Sequence, residues 1–149
     1  MKTTLGHVVL NVTSIRESER FYRQVLGMKK RRGGKVNGKA MVFLTFGSRD
    51  HDVALLESDP AARCANRSGV GLRHIAFRIG ERLEELRAFK KHLDKLGIAP
   101  NRITEHRVSQ SIYLHDPDGV EIEIYVDSDT PIWQARKAIS ERNTPLKLS

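Results

Sequence analysis

Three pairs of landmarks recur at nearly one interval along this chain of 149 residues. His7 and His74 stand 67 apart, each opening an alternating apolar run. Leu26-Gly27 and Leu96-Gly97, each closing an amphipathic run, are 70 apart. Phe43-Leu44 and Tyr113-Leu114 are also 70 apart. Agreement within a few residues at three places marks an internal repeat, so the fold must be built from two copies of one supersecondary unit.

Each copy reads β-α-β-β-β. In the first, His7 to Val12 alternates, with Val8, Leu10 and Val12 on one face and His7, Val9 and Asn11 on the other. Ser14 and Glu17 form a capping box, Ile15, Phe21, Tyr22, Val25 and Leu26 make an apolar stripe, and Gly27 stops the helix. A short basic strand follows. Lys39 to Phe46 and His51 to Glu57 are then two strands around the turn Gly47 to Asp50. In the second copy, His74 to Ile79 is a strand. Leu83, Leu86, Phe89, Leu93 and Leu96 mark a helix ending at Gly97, and a weak strand near Asn101 to Arg107 comes next. Ser111 to His115 and Val120 to Val126 form a hairpin over Asp116-Pro117-Asp118-Gly119, where Pro presets φ and Gly takes positive φ.

The expected fold class is therefore α+β, with one domain over residues 1–130 made of modules at about 4–58 and 72–127. Asp59 to Gly71 is a polar linker. Residues 131–149 form a tail in which Pro131-Ile132-Trp133 begins a short helix that Asn143-Thr144-Pro145 breaks.

The net charge is +8, from 26 basic and 18 acidic residues. The basic residues are scattered, and the densest run, Lys29 to Arg32, has no interleaved aromatics, so no nucleic-acid partner is expected. The charge suits a solvated face or attraction of anionic substrates. No apolar run approaches a membrane span, and the first residues lack a signal-peptide pattern. The lone Cys64 permits no internal disulfide, and a cytoplasmic location is expected.

His7 and His74 open matching strands, on the face opposite the one that packs on a helix. In the second strand of the hairpin, Glu121, Glu123 and Tyr125 point away from the helix-packing face. Two imidazoles and a carboxylate make the facial triad of non-haem Fe(II), Mn(II) would also fit, and Zn(II) stays open.

The segments GHVVLNV, SERFYRQVLGM, GLRHIAFRI and YLHDPDGVEIEIY resemble the vicinal oxygen chelate superfamily over residues about 4 to 127. That superfamily includes extradiol dioxygenases, glyoxalase I and bleomycin-resistance proteins. The resemblance implies an open, pseudo-twofold half-barrel of two βαβββ modules around a metal, with His7, His74 and Glu123 as ligands. FLTFGSRDHDVAL is similar to the type I extradiol strand pair and implies an active-site histidine at His51. HRVSQSIYLHDPDG implies a substrate-side histidine at His106 and tyrosine at Tyr113. Val120 departs from the Asn usual after the turn glycine, and His106 lies nearer Tyr113 than in the large two-domain enzymes.

The implied activity is extradiol cleavage of a catechol-type aromatic with O2 at a mononuclear Fe(II). His51 would handle protons, because free imidazole titrates near neutral pH, and its strand would carry Val53 and Leu55 on the same face. A glyoxalase-like isomerase, using Zn(II) or Ni(II), is the alternative. It needs a fourth ligand matching Glu123 in the first module, where the repeat places Leu55, with Glu57 two residues on. An antibiotic-sequestering protein is a third reading. Such half-barrels often pair, so a homodimer is expected.

Overall fold

A computed structural model of the chain describes residues 1–59, 61–62, 69–106, 108–128 and 144–148. The expectations for Cys64, most of the linker, and the helix beginning at Pro131 and Trp133 lie outside the described residues. The chain divides into two compact units. One is Met1–Asn66 with Asp116–Gly119; the other is Arg67–His115 with Val120–Ser149.

In the first unit the order is β1 (Val8–Val12), α1 (Ile15–Leu26), β2 (Lys29–Val36), β3 (Lys39–Thr45) and β4 (Val53–Glu57). Alternation buries Leu10 and Val12 and exposes Val9 and Asn11. Ser14 caps α1 by accepting the Glu17 N–H, and Gly27 ends the helix at φ 68°. The sheet order is β1-β4-β3-β2, with β1 parallel to β4. Tyr22 and Val25 of α1 are buried, as are Val42, Leu44, Val53 and Leu55 of the sheet. Side chains of this size contribute about 1.5–3 kcal/mol each when fully buried.

The basic strand is not short. β2 runs for eight residues, all exposed, because Asn37 (φ 50°) and Gly38 (φ 80°) both adopt positive φ. That conformation is the two-residue connection that keeps strands in register, and pairing extends to Val36 opposite Lys39. Asn37-Gly38 is itself the sequence signal for such a turn.

The second unit contains β5 (Ile75–Gly80), α2 (Leu83–Lys95), β6 (Arg102–Glu105), β7 (Ser109–His115), β8 (Glu121–Asp127) and the short β9 (Thr144–Pro145). Its sheet runs β5-β8-β7-β6-β9, with β5 parallel to β8. The first four strands therefore repeat the order of the first unit. Leu86 and Leu93 of α2 are buried. Leu96, placed on the apolar stripe from sequence, is 37% exposed. It is the residue at which α2 ends, so the helical spacing no longer aims it at the core.

Strand pairing also corrects the register between the copies. Val9 pairs with Ala54 as Ala76 pairs with Glu123, and Phe43 faces Ala54 as Tyr113 faces Glu123. The counterpart of Glu123 is thus Ala54, not Leu55. Glu57 lies on the opposite face of β4 from Ala54, because faces alternate along a strand.

The turn Asp116–Gly119 belongs with the first unit and serves α1. Tyr22 donates to Asp116 Oδ2 at 2.9 Å, a buried bond. Asp118 Oδ1 accepts from the Thr13 N–H at 2.9 Å and from its hydroxyl at 2.6 Å, and Ser18 donates to Asp118 Oδ2 at 3.2 Å. A carboxylate at a helix N-terminus also opposes the positive end of the helix dipole. Among the described residues, no helix is long and apolar enough to cross a membrane.

Candidate metal and proton-transfer site

Glu123 lies mid-strand on β8 and is 8% exposed. A buried carboxylate needs partners, and this one has three. Its Oε1 accepts from Ser111 Oγ and from Tyr113 OH, both at 2.7 Å. Its Oε2 stands 2.9 Å from His74 Nε2. Tyr113 is directly opposite Glu123 on β7, and Ser111 is two residues before it on the same face.

His106, just beyond β6, places Nε2 2.8 Å from Tyr113 OH. A phenol has one proton, and Tyr113 gives it to Glu123, so His106 Nε2–H must donate to the phenol oxygen. Burial, and then the bond to Glu123, push the Tyr113 phenol up to about 12. The result is a continuous polar chain from His106 through Tyr113 to Glu123 and His74.

Behind it sits an arginine. Arg102 pairs with Tyr113 across the β6–β7 ladder, and its guanidinium lies 3.6 Å over the Tyr113 ring. It also grips both oxygens of Glu121 at 2.9 and 3.2 Å. Burial acts to raise the Glu121 carboxyl, but Arg102, helped by Arg73 and His74, holds it below the usual carboxylate range. Glu121 Oε2 is 3.9 Å from His74 Nδ1. Glu121 is thus a supporting group held by Arg102.

The first unit holds the other two candidate histidines, His7 and His51. His7, just before β1, is exposed, and its ring centroid is 4.3 Å from that of His51. His51 precedes β4 and does not continue the Val53–Leu55 face. Its ring meets Phe43 edge-on at 5.0 Å, and Phe43 is paired with Ala54. His51 is therefore on the face corresponding to that of Glu123. The strand has not begun at His51, so counting by twos from Leu55 misassigns it.

The donors fit a divalent ion. His74 Nε2 and Glu123 Oε2 stand 2.9 Å apart, the distance of a hydrogen bond and also about that of two adjacent donors on one divalent ion. Among the described residues, no three His, Cys, Asp or Glu side chains are gathered as a group that could hold an ion. The structure pairs His74 with Glu123 and His7 with His51. Sequence reasoning missed Ser111, Arg102, Arg32 and Asp50. The two arginines are 70 residues apart, so the repeat interval itself was the signal for them.

Comparison with known proteins gives a consistent result. The model of the Glyoxalase/Bleomycin resistance protein/Dioxygenase superfamily matches residues 4–124. Catechol-2,3-dioxygenase of Bacillus subtilis (strain 168) is 33% identical over 133 residues, covering 89% of this chain and 44% of that protein. Biphenyl-2,3-diol 1,2-dioxygenase 2 of Rhodococcus globerulus is 30% identical over 126 residues, covering 83% and 62%. The chain thus spans 44% to 62% of the length of these dioxygenases. Metallothiol transferase FosB of Staphylococcus epidermidis is 28% identical over 83% of this chain and 81% of its own length. Among solved structures, a glyoxylase/bleomycin resistance protein/dioxygenase domain from Frankia sp. EAN1pec superposes with a TM-score of 0.75 at 20% identity, covering 88% of this chain and 96% of that one.

Proposed function

This chain belongs to the glyoxalase/bleomycin resistance protein/dioxygenase superfamily, and from that premise we propose that it is an extradiol-type dioxygenase opening a catechol-type ring with O2. The observation that carries the reading is the chain of hydrogen bonds His106–Tyr113–Glu123, which couples a proton-handling pair to a carboxylate beside His74. We assign His7, His74 and Glu123 as ligands of one divalent ion, Fe(II) first, with Mn(II), Zn(II) or Ni(II) as alternatives. Bound there, the ion supplies a common point of attachment and charge transfer for catechol and O2.

The chain's own residues do the rest. Ser111 and Tyr113 occupy Glu123 Oε1 and leave Oε2 turned toward His74. To hydrogen-bond a substrate oxygen, Tyr113 and His106 give up the bonds they make here, that of Tyr113 to Glu123 and that of His106 Nε2–H to the phenol oxygen. His51, not required as a ligand, gives and takes the proton that ring opening moves. The partners are a small aromatic substrate and O2, with no nucleic acid and no membrane surface, and the working form is a homodimer.

The test is anaerobic reconstitution with Fe(II), followed by air and a panel of catechols. A yellow ring-opened product is expected. A second reading, another metal-dependent reaction of the superfamily, is supported by the 28% identity to metallothiol transferase FosB. Thiol transfer, or turnover of a hemithioacetal with Zn(II) or Ni(II), and no catechol cleavage would establish it. The isomerase form is disfavoured because Ala54 stands where a fourth ligand is needed.

A further inference from the structure

We propose that Asp50, clamped by Arg32, is a positioning residue that sets the tautomer and ring orientation of His51. The proposal deepens the reading of His51 as the proton-handling group and rests on it.

His51 Nδ1 lies 2.8 Å from Asp50 Oδ2. An ionised carboxylate only accepts, so Nδ1 carries the hydrogen, and in the neutral ring Nε2 presents its lone pair. The bond made by one ring nitrogen decides the state of the other. Asp50 is ionised across the working range: the Arg32 hydrogen bond, then that of His51, hold its carboxyl down at about 2.

The carboxylate cannot easily turn away. Its Oδ1 accepts from Arg32 Nη1 at 2.6 Å, and Arg31 Nε is 3.9 Å from the same oxygen. Arg32 is anchored in turn. It is paired with Phe43 across the β2–β3 ladder, with its guanidinium 4.5 Å over that ring. Phe43 then meets the His51 ring edge-on. The imidazole is thus fixed by Asp50 on one nitrogen and by Phe43 and His7 against its ring.

The second unit repeats the arginine and the ring at corresponding positions, with a different carboxylate and imidazole: in the register that matches Glu123 with Ala54, Glu121 is the counterpart of Asp52 and His74 that of His7. Arg102 is paired with Tyr113 as Arg32 is with Phe43, lies over the ring, and holds Glu121, whose carboxylate faces the Nδ1 of His74. Stability does not explain the recurrence. Arg32 and Asp50 are each half exposed, and such pairs contribute little to folding. The two arrangements share an arginine laid over a cross-strand ring and bonded to a carboxylate; only in the first unit does that carboxylate reach the imidazole, at 2.8 Å against 3.9 Å in the second.

Side-chain ¹H–¹⁵N correlation spectra of the metal-free protein, recorded near pH 9 where free imidazole is neutral, read the tautomer directly. His51 is expected as Nδ1–H in the wild type. In Asp50→Asn it should shift toward Nε2–H, since an amide can donate to Nδ1, and Asp50→Glu should restore the original form in part. In the Fe(II) enzyme, Asp50→Asn should lower kcat about 10- to 100-fold, with metal content and anaerobic catechol affinity retained. An Nε2–H tautomer in the wild type, or one unmoved by Asp50→Asn, would overturn the proposal. A tautomer that follows Asp50 in a protein inert toward catechols would sustain the positioning and remove the dioxygenase reading. A tautomer that follows Asp50 with kcat unchanged would take His51 out of the proton work.

Discussion

Glu121 and Glu123 lie two residues apart on one face of β8, yet their surroundings assign them opposite duties. Glu121 is locked to Arg102, while Glu123 keeps Oε2 beside His74. Glu123→Ala should therefore lower metal content sharply after reconstitution, and Glu121→Ala should leave it close to wild type. Equal occupancy by elemental analysis would reassign the carboxylate. His51→Ala should retain metal and bind catechol without oxygen, while turnover in air falls about 10²- to 10⁴-fold. Loss of metal would make His51 a ligand, and full turnover would remove it from the mechanism. At this scale the sequence was legible where a residue type is rare in its setting. Glutamates alternating with apolar residues along one strand and histidines at repeated positions stood out. The arginines did not: among 26 lysines and arginines, nothing local tells which guanidinium will lie over a ring. Only the cross-strand pairing of Arg32 with Phe43 and Arg102 with Tyr113 does so.

Helix α1 is tied to the turn Asp116–Gly119 through Tyr22, whose phenol burial, and then Asp116, push far up so that it stays a donor. Tyr22→Phe removes a buried bond to a charged acceptor and should cost about 1.5–3 kcal/mol in denaturant unfolding. A loss below a few tenths would mean that water replaces the phenol. Helix α2 begins on Glu85, whose Oε2 accepts the N–H groups of Arg82 and Glu81 at 2.9 and 2.8 Å. Those backbone bonds lower the Glu85 carboxyl. A lowered folded value means stabilisation that is complete above the unfolded carboxyl's titration and lost as pH falls through the folded one. Glu85→Gln should flatten that acid-side decline in urea midpoints between about pH 5 and 3, and an unchanged slope would place the dependence elsewhere. Caps, alternation and the β-α-β-β-β order were readable because each is local. Register was not. Landmark spacing leaves a residue of slack, and one residue exchanges the two faces of a strand, which is why the repeat interval points to Leu55 where pairing gives Ala54. The length of β2 escaped for a different reason: its lysines, arginines and glycines are poor strand formers, and the Asn37-Gly38 turn, not their propensity, extends the pairing.

For the molecule as a whole, the net charge of +8 has its most consequential position on β2. This strand ends the four-stranded sheet, and all eight of its residues, Lys29-Lys30-Arg31-Arg32-Gly33-Gly34-Lys35-Val36, are exposed. An open strand edge is a template for another chain, and clustered cations are one means of warding it off. That protection has a range. It extends about 10 Å at 0.1 M salt and about 3 Å at 1 M. Colloidal behaviour should therefore run opposite to simple salting-in: light scattering from concentrated protein should rise as sodium chloride increases. Replacing Lys29 and Lys35 with glutamine should move that onset to lower salt, whereas scattering indifferent to salt would show the edge to be guarded by shape. The lysines of this edge, as distinct from the Arg32 that holds Asp50, would then set the concentration and ionic strength at which the protein can be stored.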